Sequence, residues 1–271
     1  TGAKVRADLG FMPRVGTRYI EGGWGFTRFS DSKNWYTMLN IGGGYETQEE
    51  IDGTMLHQAF TFWADYQGPL QSGFHVSGRY HGKTGYNGRE FNSEYIHLVT
   101  YIQPHGSLWL ELFGIFGDQI DYDNTRQGEI LHLEPEIEFK LGRHLSMGVD
   151  HTWERLNVLG GIRLYTANVT ELHLVYQFNK RIFLRTITQF TYYRRDEGLY
   201  TDQVDPEERH LFNQVLFSYK INPKTVLFLG YSDNHYGYRT VSTEDYYHYK
   251  RIHTMQTDRT VFVKLGYAWV L

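Results

Sequence analysis

The chain contains no cysteine, which excludes disulfides, thiolate catalysis and cysteine-ligated zinc. Proline is scarce, with 6 in 271 residues, as suits a chain built of strands. No apolar run approaches the roughly 18 residues of a membrane helix. Mean hydropathy is −0.50, so a hydropathy profile reads as that of a soluble protein. Transmembrane barrels defeat this test, because only alternate residues of each strand face lipid. A basic excess is also missing. The formal charge of −4 and the pI near 6.3 argue against a general nucleic-acid binder, which would carry a basic stripe. Residues Thr1, Gly2 and Ala3 open the sequence without Met or a signal peptide, and the expectation is a longer parent chain that carries the export information.

Aromatic residues are plentiful. They make up 17% of the chain, with 22 Tyr, 17 Phe and 6 Trp, a supply that suits interfacial girdles. The stretch that organises the rest is 260–271. One face carries Val261, Val263, Leu265, Tyr267, Trp269 and Leu271, and the other Phe262, Lys264, Gly266, Ala268 and Val270. The pattern Lys264, Gly266, Trp269, Leu271 resembles the C-terminal signal by which the outer-membrane assembly machinery of Gram-negative bacteria recognises a last strand. A buried soluble strand is the alternative.

Upstream, similar segments recur at about one strand plus one connection. Strands are predicted at 3–11, 17–29, 35–47, 56–66, around 74–80, 94–103, 107–117, 130–141, 145–156, 162–178, 182–193, 210–221, 225–233 and 260–271. That is about 14, and an even count suits single-chain bacterial barrels. Short turns are expected at 30–34, 68–71, 104–106, 142–144, 179–181 and 222–224, with longer Tyr-, Asp- and Gly-rich loops at 82–93, 118–128, 194–209 and 234–258. Short turns on one rim and long loops on the other describe an up-and-down outer-membrane β-barrel with both termini periplasmic. Pro135 falls inside a strand, where a bulge is expected. Strand 260–271 is expected to pair with 3–11, since an open edge in hydrocarbon leaves backbone groups unsatisfied.

Period-two reading sorts the faces. Phe60, Phe62, Leu110, Leu174, Phe217, Leu227 and Leu265 are expected against lipid. Arg79, Glu111, Glu134, Glu136, Glu138, Asp150, Glu154, Glu171, Arg185, Lys220 and Lys264 are expected to line the lumen. The acidic members must be hydrated or paired with the basic ones. A solvated, ion-paired interior is the simplest reading; an electrostatically selective path and glycosidase-like carboxylate chemistry are the alternatives.

Three blocks resemble a bacterial family: 142–156 (GRHLSMGVDHTWERL), 174–179 (LVYQFN) and 216–234 (LFSYKINPKTVLFLGYSDN), completed by 257–260 (TDRT) and the last strand. The family is the domain of unknown function that forms the C-terminal barrel of proteins with an N-terminal family-9-like carbohydrate-binding domain. The resemblance covers the second half of the chain and implies the barrel portion of a larger, carbohydrate-linked surface protein. It implies no catalytic residue.

Other candidates are weaker. His144 and Ser146 share a strand face and resemble the Ser–His pair of barrel phospholipases, without a third member; a turn histidine is the plainer reading. Asp118, Asp121 and Asp123 could hold calcium but lack EF-hand spacing. His235, His248, His253 and Asp245 could ligate a metal, although an exposed loop that stacks on sugar is the preferred reading. No cofactor is expected. Expected partners are outer-membrane lipid, the barrel assembly machinery, and a glycan or protein at the extracellular loops, with no nucleic acid. Deleting residues 269–271 should abolish recovery of a heat-modifiable, protease-resistant band from outer membranes; normal assembly would count against the closing-strand reading.

Overall fold

A strand with one face in water and the other in an apolar phase repeats its side-chain character every second residue, and this chain sustains that pattern along most of its length. The computed structural model describes residues 16–30, 34–239 and 255–268. Fourteen strands account for almost all of them: β1 (Thr17–Phe29), β2 (Met38–Glu50), β3 (Met55–Gly68), β4 (Ser72–Tyr86), β5 (Arg89–Asn92), β6 (Tyr95–His105), β7 (Leu108–Asp121), β8 (Arg126–Leu141), β9 (Leu145–Val158), β10 (Ile162–Asn179), β11 (Ile182–Arg195), β12 (Glu207–Asn222), β13 (Thr225–Arg239) and β14 (Met255–Tyr267). Two 3-10 turns, Pro69–Gln71 and Glu197–Leu199, complete the regular structure.

The expected fold class is met: the protein is all-β, an antiparallel up-and-down sheet. Each strand pairs with the next in order from β1 to β14, except that β5 lies off the path as a short hairpin partner of β4. Thirteen strands therefore form the path, and with strict alternation β1 and β14 run in the same direction. As its two ends, they are exposed on both faces, with Trp24 64% and Val261 72% accessible. The strand expected at 3–11 and the signal residues Trp269 and Leu271 lie outside the described residues.

Two expected loops are not loops. Residues 82–93 are the end of β4 and its hairpin with β5, and 118–128 are the ends of β7 and β8 joined by a four-residue turn. The loops at 194–209 and 234–258 are shorter than expected as well, because β12 begins at Glu207, β13 runs to Arg239 and β14 starts at Met255. The reason is physical. Strands in globular proteins commonly have about five or six residues, whereas β10 has 18 and β8 has 16. Where a strand continues into water on both faces it keeps its hydrogen-bond ladder and loses its apolar alternation. In sequence, that resembles a loop. β8 continues through Pro135, which is exposed. The second strand starts at Met38 rather than at 35, because Trp35 stacks on Tyr66 at 5.7 Å and accepts the Tyr66 hydroxyl on its carbonyl at 2.9 Å.

The chain divides into two compact units: Thr1–Ile102, Phe113–Leu131 and Leu156–Ile162 form the first, and Gln103–Leu112, His132–Arg155 and Arg163–Leu271 the second. In the first, Asp52 closes the β2–β3 turn by accepting the Thr54 amide at 2.9 Å, and that backbone hydrogen bond holds its carboxyl below the usual range. In both units, rings lie across glycines on the paired strand: Trp63 opposite Gly42, Phe62 opposite Gly78, and Phe262 opposite Gly230. A Cβ at Gly42 would overlap the Trp63 ring and stand 2.7 Å from the Trp24 carbonyl oxygen. Gly42→Ala should therefore destabilise the sheet by about 1–3 kcal/mol, whereas Gly106, with open space around its Cβ position, should accept alanine with little change. Thermal unfolding of the two variants in detergent checks this; equal melting temperatures would refute the ring-on-glycine account.

Candidate functional site

The polar face of each unit is built by the pleat. In the first unit, the pairings Thr61↔Arg79 and Glu46↔Ala59 put Glu46, His57, Asp65, His75 and Arg79 on one side. Arg79 Nη2 lies 3.1 Å from Glu46 Oε1, which is also 2.7 Å from His57 Nε2, and the Tyr19 hydroxyl donates to Glu46 Oε2 at 3.3 Å. The Arg79 guanidinium also sits 5.1 Å above the Tyr95 ring. Asp65 accepts from Asn40 Nδ2 at 2.7 Å and meets His75 Nδ1 at 2.5 Å. Phe60 and Phe62 point the other way, with Tyr80 and Gly78 opposite them.

In the second unit, His132, Glu134, Glu136 and Glu138 share one face of β8 by period two. His132 bridges two carboxylates, with Nδ1 2.7 Å from Glu154 and Nε2 3.4 Å from Glu134. The Tyr165 hydroxyl donates to the other Glu154 oxygen at 2.6 Å. Glu136 lies within electrostatic reach of Asp150, Glu111, Glu138 and His173. Asp150 meets His173 at 3.6 Å, and ligand atoms of Asp150, Glu171 and His173 all lie within 4.8 Å of one another. The His173 ring occupies the space that a side chain at Gly148 would need. Two carboxylates and an imidazole at this spacing could hold a hard divalent cation.

The basic candidates sit apart from these acids. Glu171 is opposite Gln189, Arg185 is between Val175 and Leu216, Lys220 is opposite Val226, and Lys264 is opposite Phe228. These registers place Glu171, Arg185, Lys220 and Lys264 on a common face, yet none of the three basic residues has an ion-pair partner among the described residues. The expected pairing of acids with these bases is thus replaced by pairing with histidine and tyrosine. On the opposite face are Leu174, Phe217, Leu227 and Leu265. Gly266 of the assembly pattern pairs with Val226.

The remaining sequence candidates do not assemble. His144 Nδ1 donates to the Gln177 carbonyl at 2.5 Å, rather than to Ser146. Asp118 and Asp121 lie on opposite faces of β7, three residues apart, and Asp121 is held by Arg126 Nε at 2.7 Å. Asp123 is exposed in the following turn. His235 is 3.9 Å from Asp233, and Asp245, His248 and His253 lie outside the described residues. A hollow of about 290 Å³ beside the β9–β10 turn, bounded by Arg126, Glu129 and Asn157, gathers none of the acidic group.

Sequence reading did not name His57, His75, His132, His173 or Tyr165 among the site residues. Their signal was present, since His132 stands two residues from Glu134 and His173 two from Glu171, a spacing that puts them on one face.

No protein-family model and no curated protein matches the sequence. Among solved structures, the chain is similar to OmpT of Vibrio cholerae, an outer membrane protein. The in-vitro folded form aligns at 10% identity over 93% of this chain and 96% of that one, with a TM-score of 0.42. Its trimer form aligns at 10% identity over 93% and 98%, with a TM-score of 0.44. A variant lacking loop L8 aligns at 11% identity over 80% and 92%, with a TM-score of 0.37.

Glu154 joins three elements, so its removal should propagate. Glu154→Ala leaves the His132 and Tyr165 groups without their acceptor and should cost about 1–3 kcal/mol, while Tyr165→Phe should cost about 1 kcal/mol. Thermal unfolding in detergent measures both. A neutral Glu154→Ala would show that the network is fully solvated.

Proposed function

We propose that this chain is an outer-membrane β-barrel domain, with its leucine-rich face against lipid and its carboxylate–histidine face inward, that gives cations preferential passage. It would serve as the transport or anchor portion of a larger, carbohydrate-linked surface protein. The observation that carries the reading is the division of faces: Glu136 has Glu111, Glu138 and Asp150 around it, while the opposite face of the same unit carries Leu174, Phe217 and Leu265. Carboxylates grouped along a wet path attract cations and repel anions. The carbohydrate link rests on the resemblance of the blocks at 142–156, 174–179 and 216–234 alone.

Closure into a ring is part of this proposal. Since β1 and β14 run in the same direction, an antiparallel ring needs one further strand between them, and the alternating segment 3–11 supplies it in this proposal. The purified protein in planar bilayers should conduct. Under a KCl gradient its reversal potential should indicate cation preference, and the triple substitution Glu136→Gln, Asp150→Asn, Glu171→Gln should move that potential towards zero. A conducting protein whose preference is untouched by the triple change would remove these residues from the path. An inserted, heat-modifiable protein that does not conduct would leave the anchor role in its place.

A further inference from the structure

The face opposite the acids carries its own charged feature, at the rim away from the short β10–β11 and β12–β13 turns. On β11, Tyr192 is opposite Asn168 and Arg209, and Arg194 is opposite Thr166 and Glu207. On β9, Trp153 and Arg155 share this face with His151, which bonds Thr170 across to β10 at 2.8 Å. Arg155, Arg194 and Arg209 therefore stand on one face across β9 to β12. With about 4.8 Å between neighbouring strands, the group is roughly 14 Å wide.

Two of these arginines are tethered to rings. The Arg155 guanidinium lies 5.8 Å from the Trp153 ring centroid and that of Arg209 lies 5.2 Å from Tyr192. In both, Nε is out of contact with solvent and has no hydrogen-bond partner. Neither residue has an ion-pair partner among the described residues, and Arg194 is exposed. Glu207 is the single described carboxylate in the two outermost of these cross-strand rows. The face that carries Leu174 and Phe217 nearer the short turns thus ends, past polar residues such as Asn168 and Asn213, in three guanidiniums, two of them set against rings.

Order along the strands indicates what these guanidinium groups would meet. β9 passes from Met147 through Trp153 to Arg155, and β11 from Leu184 through Tyr192 to Arg194. Aliphatic, then aromatic, then guanidinium is the sequence of environments met on leaving hydrocarbon, crossing the interface and reaching headgroups. Guanidinium forks match phosphate oxygens in charge and geometry, and such pairs are the stronger hydrogen bonds. We infer that Arg155, Arg194 and Arg209 form a docking site for the phosphate-bearing headgroup of a membrane lipid on the outward face of this domain. The inference rests on the proposed outward orientation of the apolar face. It adds a ligand that the conduction reading does not require.

The test uses the full chain, reconstituted into phosphatidylcholine nanodiscs with lipid A carrying its phosphates, with dephosphorylated lipid A, or with neither. Wild-type protein should gain thermal stability only with the phosphorylated lipid. The triple variant Arg155→Gln, Arg194→Gln, Arg209→Gln should insert and remain heat-modifiable, yet bind that lipid about a hundredfold more weakly. Equal stabilisation by the dephosphorylated lipid, or unchanged binding by the triple variant, would overturn the site. Equal stabilisation by inorganic phosphate in place of lipid would also overturn it, because it would mark a plain anion site. Failure of the wild type to insert as a heat-modifiable species in any nanodisc would instead refute the membrane orientation. Should the triple variant fail to insert, the single change Arg194→Gln, at the exposed position, gives the same comparison with a smaller expected loss.

Discussion

Every strand of this protein depends on its neighbour for backbone hydrogen bonds. A peptide group that leaves water must find a partner, and an isolated strand has none within itself. Pairing in chain order meets that demand with the shortest connections available, and it fixes the pleat of each strand relative to the next. From the pleat follows the division of side chains that gives the molecule its two chemistries. Glu171 and Leu172 are adjacent in sequence, and one residue's slip in the β10–β11 ladder would exchange them.

The polar face solves a problem that this division creates. Carboxylates on adjacent strands stand close enough to repel one another. The protein answers with imidazole and phenol groups, which bond to carboxylates at short range without adding the permanent positive charge of arginine or lysine. His132 between Glu134 and Glu154, and Tyr165 on the far oxygen of Glu154, show the arrangement. The first unit uses the same device at His57 and His75, with the Arg79 guanidinium sharing Glu46 with His57. The excess of negative charge therefore survives on the second unit's polar face instead of being cancelled there.

Much of this was legible in the sequence because period two is a direct physical signature. Leu174 against Glu171, and Leu265 against Lys264, could be sorted by parity alone. Strand ends were less legible. Residues 82–93 and 118–128 are polar on both sides, and composition could not separate a wet strand from a loop, since the difference lies in backbone pairing. Ion pairing was misread for a related reason. Parity says which residues share a face but not which lie in neighbouring rows, so Arg185 and Lys220 looked available to acids that bond to histidine instead. The ring-on-glycine contacts of Trp63 and Phe262 needed the register, which a sequence carries only implicitly.

The odd number of strands on the pairing path has a consequence for rearranging the chain. Thr17 opens β1 beside Glu50, Tyr267 ends β14 beside Thr225, and by strand order β1 and β14 run in the same direction. A linker joining these two points, as a circular permutation of β1–β14 would require, could not be a turn of a few residues. It would have to travel the height of a strand, about 40 Å for the 13 residues of β1. A flexible tether of that reach would leave two ladder edges bare, so the shortest workable connector is itself an alternating β-segment. Permutants joined by such a segment should therefore tolerate new ends at the Ser107 or Lys224 turns far better than permutants joined by glycine and serine.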